Sequence, residues 1–359
     1  MPRRATRVDD TPNRDVLDDI SFGLYRAAVL KAAIELEIFT RIAEGHRTVP
    51  ALARVGGVTE RGVRILLDAL GFIGMLHKQH TEYKLAPTAE AYLVKGKPAY
   101  FGDALVGDLA WDARGQLSKI IRTGKTLSPA ALGETFELIW AGAAAASLVD
   151  WQKQLDVANA LWDKLGVTPE NAKGLRVLDV GCGAGILGFA LAKRHPSVRV
   201  TALDRAMILG YAKQIAEAAG VAAQTNFVVG DALNLEVKPS AFDLVLFGNV
   251  TGYASPEQNV GMFRRAYEAL TPNGRIVIAT PVADEDHKGP SAVPMAGIEM
   301  LLFSLDGDIY SFTEYRGMLE AVGFSEVTNY KDDWGLISAR RIETSPPKTE
   351  KAESAKREI

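Results

Sequence analysis

The residues that could do chemistry gather in one stretch, Leu175–Asp204, which reads LRVLDVGCGAGILGFALAKRHPSVRVTALD. Asp179 stands two residues before the first glycine of Gly181-Cys182-Gly183-Ala184-Gly185, and Asp204 closes the stretch. Glycines let a ligand approach the backbone because no Cβ blocks it. The unpaired N–H groups of a following helix then face that ligand. A carboxylate at the tip of the next strand can accept hydrogen bonds from a ribose diol. These residue types in this order point to a nucleoside-bearing cofactor. The elements that must hold them are legible too. Arg176–Val180 is a short apolar run and predicts a buried parallel strand. Ile186–Arg194 has helical spacing, and Arg199–Leu203 predicts a second strand leading into Asp204. The whole is a βαβ unit of roughly 30 residues.

Two cofactors fit such a unit. Gly183-x-Gly185-x-x-Gly188 satisfies the dinucleotide fingerprint, with Asp204 near the ~20-residue offset. Other details favour S-adenosylmethionine. Asp179 can hold a cationic methionine end, whereas a carboxylate has no use beside a pyrophosphate. A third predicted strand, Asn226–Val229, ends in Gly230-Asp231, which offers a second acid to an adenine amino group. Phe242–Phe247 reads as a fourth strand, and Asn273-Gly274-Arg275 turns into a fifth, Arg275–Ala279. The series VLDVGCGAG, ALD, GDA, FDLVLF and LTPNGRIVIA resembles the class I SAM-dependent methyltransferases. The resemblance implies an α/β Rossmann-like domain with a seven-stranded sheet. It sets Asp179, Gly181, Gly183 and Gly185 on the methionine end, Asp204 on the ribose, and Asp231, Ala232 and Leu233 on the adenine. Arg205, Gly230, Phe247 and Asn249 complete the expected cofactor set.

Upstream, Asp15–Ala43 is helical by spacing, Thr48–Ala53 is a short helix, Gly56-Gly57 a turn, and Thr59 caps a helix over Glu60–Phe72. Met75–Leu85 alternates polar and apolar and reads as a two-stranded wing. This order describes a winged helix in a mainly α-helical domain. One use of a winged helix is DNA binding, which would make the chain a SAM-responsive regulator. The helix at Thr59–Phe72 is mostly apolar and carries Glu60 and Asp68 beside Arg61 and Arg64, which argues against reading a groove. The other use is packing against a second copy. LKAAIELEIFTRIAEG, LARVGGVTERGVRILLDALGFIGML and YKLAPTAEAYLVKG resemble the dimerisation domain of the small-molecule O-methyltransferases, which implies a homodimer. The expected divisions are an arm at 1–14, the winged-helix dimerisation domain at 15–98, a helical linker and lid at 99–173, the SAM-binding domain at 174–342 and a tail at 343–359, with arm and tail disordered.

Composition sets bounds. A chain of 359 residues that is 47% hydrophobic can bury a full core. A formal charge of −3 suggests no polyanionic partner. One cysteine, Cys182, excludes an internal disulfide and reads as a small buried loop residue. The first residues, MPRRATRVDDTPNR, have no apolar h-region, and no long uncharged apolar run follows, so a cytoplasmic protein with no membrane partner is expected. His46, His77, His80, His195 and His287 are scattered and make no ligand cluster, so no metal is expected.

Catalysis departs from the family pattern. A neutral hydroxyl needs a base, most often His, before it attacks a methyl sulfonium. The resemblance places that His a few residues after the fourth strand, where this chain reads Asn249-Val250-Thr251-Gly252-Tyr253 and the position falls on Gly252. The family's supporting acid before the last helix is also missing, with Ile309 near its place. Tyr253 and Glu299 are the leading candidate replacements; His287, in a charged loop, reads as an exposed residue, and His195, at a helix end, as a capping or surface one. Alternatively no base is needed, because sulfur, nitrogen or an electron-rich carbon accepts a methyl without prior deprotonation. A family member that binds SAM and catalyses decarboxylation, hydroxylation or cyclisation is the other enzymatic reading. Tyr25, Trp111, Trp140, Tyr253, Met295 and Glu299 are the expected acceptor contacts, among further large apolar residues of the lid such as Phe136 and Trp151.

Overall fold

The computed structural model describes residues 12–106, 108–125, 129–289, 293–330 and 335–342, without the side chains at 104, 106, 108–110 and 129–136. The expected tail and most of the expected arm fall outside these residues, as does Trp334; the side chain of Phe136 does too.

Where the spacing predicts one helix over 15–43, the chain forms two, α1 (Asp15–Glu35) and α2 (Ile38–Ala43). The break is local. Glu37 adopts φ +53°, and its carboxylate accepts a hydrogen bond from Lys95 Nζ at 2.8 Å. The turn lets Ile38, Phe39 and Ile42 join Leu52, Leu67 and Leu70 in one small core, which a continuous helix would splay apart. Next comes α3 (Val49–Gly56), capped by Thr48, whose Oγ1 accepts from the Ala51 N–H. Gly57 ends it in the left-handed region at φ +63°, where a side chain would be strained. Then α4 (Glu60–Phe72) begins at Thr59, whose Oγ1 accepts from the Gly62 N–H at 3.1 Å. The hairpin β1 (Leu76–Gln79) and β2 (Glu82–Leu85) follows, pairing Leu76 with Leu85. Helix, short helix, turn, helix and hairpin thus occur in the expected order.

The connecting region is helical: α5 (Pro87–Tyr92), α6 (Gly102–Val106), α7 (Asp108–Gly115), α8 (Leu117–Thr123) and the long α9 (Pro129–Lys164). α9 bends at Asp150, where φ is −131° and ψ 23°. The remainder alternates strand and helix: β3 (Arg176–Val180), α10 (Ile186–Arg194), β4 (Arg199–Asp204), α11 (Ala206–Ala218), β5 (Thr225–Val229), β6 (Phe242–Gly248), α12 (Pro256–Ala269), β7 (Leu270–Ala279), α13 (Val293–Phe303), α14 (Phe312–Glu320), β8 (Ser325–Asn329) and β9 (Leu336–Arg340). The strands make one seven-stranded sheet, ordered β5-β4-β3-β6-β7-β9-β8. β9 runs antiparallel to both of its neighbours, and the rest of the sheet is parallel. β7 starts earlier than the predicted Arg275, because a register irregularity between Phe242 and Leu244 absorbs the Asn273-Gly274 turn.

Parallel strands must be covered on both faces. α9, α10 and α11 cover one, around Trp162, Phe189 and Ile215; α12 and α14 cover the other, around Phe263, Tyr315 and Leu319. The chain leaves β5 on one edge and returns beside β3, so the sheet reverses direction between β3 and β6. A crevice at such a reversal, beyond the carboxyl ends of the strands, is where ligands bind in this class of sheet. No described helix is long and apolar enough to cross a membrane.

Candidate active site

A cavity of about 510 Å³ lies at that reversal. Pairing puts Val180 level with Leu203 and Phe247, and Asp204 level with Val229, so the ends of β3, β4, β5 and β6 deliver their following residues to one place. Of the expected cofactor residues, Asp179, Gly181, Gly183, Asp204, Arg205, Gly230, Asp231, Ala232, Leu233 and Asn249 line the cavity. Gly185 sits just behind, at the start of α10; with φ +78°, a Cβ there would collide with the Phe189 ring. Phe247 does not line the cavity. Its side chain is fully buried in the sheet's other face, edge-on to Phe263 at 5.8 Å.

The two acids differ in setting. Asp204 is held by backbone donors: Gly183 N–H reaches Oδ2 at 2.8 Å and Arg205 N–H reaches Oδ1 at 2.7 Å. Each oxygen keeps acceptor capacity for a ribose hydroxyl. Burial outweighs these hydrogen bonds and raises its pKa from the ordinary value. Asp179 is 2% exposed, with Oδ2 accepting from Gly188 N–H at 3.1 Å. Burial, reinforced by the charge of Asp204, pushes its carboxyl up to about 7. A nearby cation is the natural way to restore its charge. Gly188 has no space for a side chain, since a Cβ would stand 2.9 Å from Asp179 Oδ2. Asp231 accepts from Leu233 N–H at 2.9 Å and pairs with Arg205 at 3.6 Å. Asn249, at φ +55°, presents a buried Oδ1 that accepts no hydrogen bond among the described residues. Cys182 is the small loop residue expected; burial pushes its thiol up, away from reactivity.

After β6 the cavity is bordered by a clamped turn. Residues Thr251–Tyr253 form a single 3-10 turn after β6. Asn259 Nδ2 donates to the Thr251 and Ala254 carbonyls at 2.9 and 3.2 Å, Tyr310 OH donates to the Ala254 carbonyl at 2.7 Å, and Thr251 Oγ1 lies 2.7 Å from Tyr315 OH. Gly252 is buried: a Cβ there would lie 3.3 Å from Met300 Sδ and 3.4 Å from the Asp308 carbonyl. Tyr253 projects into the cavity and meets Trp140 of α9 edge-on, centroids 5.5 Å apart. Burial, with the charge of Glu299, raises the Tyr253 pKa, so its hydroxyl stays protonated. It can donate a hydrogen bond but is a poor base.

Of the other expected acceptor contacts, Tyr25, Trp111, Met295 and Glu299 do not line the cavity. Tyr25 and Met295 are exposed, at 66% and 71%. Glu299 lies on the exposed side of α13, and Trp111 lies under Lys31 Nζ at 5.8 Å. Sequence reasoning missed Ala143, Ala144 and Ser147 of α9, Phe303 at the end of α13, and Ser304, Leu305 and Asp306 after it. The run AGAAAAS carried a signal. Small side chains let α9 lie close over the cofactor loop, with Ala141 and Ala144 against Ile208 of α11. His287 is half exposed, 3.8 Å from Glu314, and His195 ends α10 with Nδ1 accepting from Ser197 N–H at 3.1 Å. No group of three or more potential metal ligands occurs among the described residues.

Known proteins resemble both parts of the chain. A family model described as a methyltransferase domain matches residues 171–301, and one described as an O-methyltransferase dimerisation domain matches residues 19–95. A 3-hydroxy-5-methyl-1-naphthoate 3-O-methyltransferase from Streptomyces sahachiroi is 27% identical over 314 residues, 87% of this chain and 90% of the relative. An L-tyrosine C(3)-methyltransferase from Streptomyces lavendulae is 27% identical over 161 residues, 44% of this chain and 43% of the relative. The solved structure of an O-methyltransferase family protein from Burkholderia thailandensis shares the fold, with a TM-score of 0.74 at 20% identity over 93% of this chain and 100% of that one. The chain belongs to the family of SAM-dependent small-molecule O-methyltransferases that carry an N-terminal dimerisation domain.

Proposed function

We propose that this chain transfers a methyl group to a small, largely apolar acceptor at an atom that needs no prior deprotonation: sulfur, nitrogen or carbon in preference to a hydroxyl oxygen. The observation that carries this is Gly252. It carries no side chain to act as a base, Met300 and the Asp308 carbonyl crowd the space beside it, and the neighbouring Tyr253 hydroxyl is held protonated. The carbon-methylating relative is consistent with such chemistry on this fold.

The residues present fit S-adenosylmethionine. Asp179 supplies a buried carboxylate for a cationic end, and Asn249 Oδ1 an acceptor still lacking a donor. A Cβ at Gly183 would meet no atom within 4 Å, so the backbone there borders open cavity. Asp204 would take the ribose hydroxyls, and Asp231, Ala232 and Leu233 would flank the adenine, with Arg205 and Gly230 beside them. The bound cofactor brings a methyl already activated on a sulfonium. The chain's part is then to align the acceptor within about 3–3.5 Å and to exclude water. Trp140, Phe303 and Leu305 provide the apolar wall for that.

We also place the functional divisions at 15–98 for dimerisation, 99–173 for linker and lid, and 174–342 for cofactor binding. α1 supports a homodimer, since Leu17, Ile20, Phe22, Leu24 and Tyr25 are each more than half exposed.

Incubation with methyl-labelled cofactor and a panel of phenols, thioethers, amines and carbon acids, read by mass spectrometry, tests the reading. Label on sulfur, nitrogen or carbon is expected. Label on a phenol oxygen at comparable rate would overturn the base-free mechanism.

A further inference from the structure

Charge is distributed unevenly around the cavity. Among its described lining residues the only cation is Arg205, which lies at the cofactor end, paired with Asp231. The acceptor end carries an acid instead. Asp306 follows α13 in the lining segment Phe303–Asp306. Its position is fixed by the next residue. Gly307 packs directly on the clamped turn: a Cβ there would overlap the Gly252 carbonyl oxygen and stand 2.9 Å from the Tyr253 carbonyl carbon. Asp306 is therefore one residue away from the turn that presents Tyr253, whose ring is edge-on to Trp140. Glu299 adds further negative charge to the surroundings of Tyr253.

Aromatic rings with a carboxylate and no cation favour a positively charged or charge-gaining group. The same surroundings oppose a carboxylate or phenolate, which would meet like charge at Asp306; the Arg114 guanidinium stacks on the Phe303 ring, 5.5 Å from its centroid, and does not line the cavity. We infer that the acceptor is an amine on an aromatic or apolar body, and that Asp306 is the residue that selects it. This rests on the base-free reading above and narrows it to nitrogen. The amine binds as its ammonium beside Asp306 and first gives that proton to water; the freed lone pair then forms the new N–C bond as the methyl carbon's bond to sulfur breaks. Sulfur leaves as an uncharged thioether, and the positive charge passes to nitrogen, which can then lose a proton to Asp306 or water. Asp306 and the Trp140 and Tyr253 rings lie where that charge arrives. A hydroxyl would need a base before attack and gains nothing from this arrangement.

Selection can be read by binding alone. The full-length protein loaded with S-adenosylhomocysteine is titrated by calorimetry with 1-naphthylmethylamine and with 1-naphthylacetate, a cation and an anion of similar size. The amine is expected to bind at least tenfold tighter. Asp306→Asn is expected to remove most of that preference while leaving S-adenosylhomocysteine affinity unchanged; Asp306 is exposed, so the variant should fold. Equal binding of the two probes, tighter binding of the anion, no binding of the amine, or a preference that survives Asp306→Asn would each overturn the inference. Failure of S-adenosylhomocysteine to bind would instead overturn the underlying methyltransferase site.

Discussion

Gly252 and Gly307 meet backbone to backbone. Gly307 cannot carry a side chain without displacing the turn, since a Cβ there would overlap the Gly252 carbonyl oxygen, and a Cβ on Gly252 would sit tightly, 3.3 Å from Met300 Sδ and 3.4 Å from the Asp308 carbonyl. The contact joins the turn after β6 to the segment before α14 and closes the position where the family's base is expected. Restoring the imidazole should therefore fail. Gly252→His is expected to cost about 1–3 kcal/mol of stability through overpacking and to give no gain in methylation of phenols. Thermal unfolding and the phenol assay check both halves. A stable Gly252→His protein with new O-methylating activity would show that the position is open.

Tyr253 is held protonated by burial and by the charge of Glu299. A general base contributes roughly 10²–10⁴-fold. Tyr253→Phe is expected to retain activity within about tenfold of the parent, with an unchanged pH–rate profile, because only a wall and a donor are lost. A fall of a thousandfold, with loss of the rise in rate with pH, would make Tyr253 the base.

Asp204 ties the glycine loop to β4 through the N–H groups of Gly183 and Arg205. Removing its carboxylate leaves two donors unpaired and takes away the proposed ribose acceptor. A charged hydrogen bond is worth about 1.5–3 kcal/mol, so Asp204→Ala should weaken cofactor binding roughly a hundredfold or more. Titration calorimetry measures this directly, and unchanged affinity would sink the ribose assignment.

Asp179 should make binding depend on pH. Its folded pKa, about 7, is above the ordinary value of 3.8 because the carboxyl is buried. The folded cofactor-free protein therefore holds a proton that the unfolded chain releases. The stability this contributes is fully present below the unfolded carboxylate pKa and is lost as pH rises through about 7. A cationic ligand end favours the ionised form, so cofactor affinity should fall several-fold from pH 8 to pH 6, and binding near pH 7 should release protons. Calorimetry in buffers of different ionisation enthalpy reads that release. Asp179→Asn should stabilise the cofactor-free protein at pH 8 and abolish the proton release while weakening binding; a variant with the parent's pH response would place the titration elsewhere.

The α1 face should be an interface. Leu17 and Ile20 are 67% and 68% exposed, an unfavourable arrangement for a solvated helix. Sedimentation velocity is expected to show a dimer for the parent and a monomer for Leu17→Lys/Ile20→Lys. A dimer that persists in the double variant would move the interface off this face.

The gathering of these residues at one cavity was legible because it is local. Asp179, the glycines and Asp204 lie within one βαβ unit, and strand order alone carries Gly230, Asp231 and Asn249 to the same end of the sheet. Phe247 shows the limit of that logic. It sits at the right level of β6, but strand alternation turns its side chain into the opposite core. The single helix expected over 15–43 fails for a related reason, since helical spacing continues through Glu37 and only long-range burial of Ile38 and Phe39 imposes the turn.

By itself, then, the sequence determined the parallel sheet, the cofactor loop and the missing histidine at Gly252, all set by residue type and short spacing. Tertiary structure decided the acceptor side. Glu299 and Met295 are on a helix whose apolar character does not say which face turns inward, and both turn outward. Ser304 and Asp306, with no motif to mark them, reach the cavity because Gly307 lies against Gly252, more than fifty residues earlier in the chain. A contact between two bare backbones leaves no periodicity in the sequence; it is set by how α13 and the turn after β6 pack together.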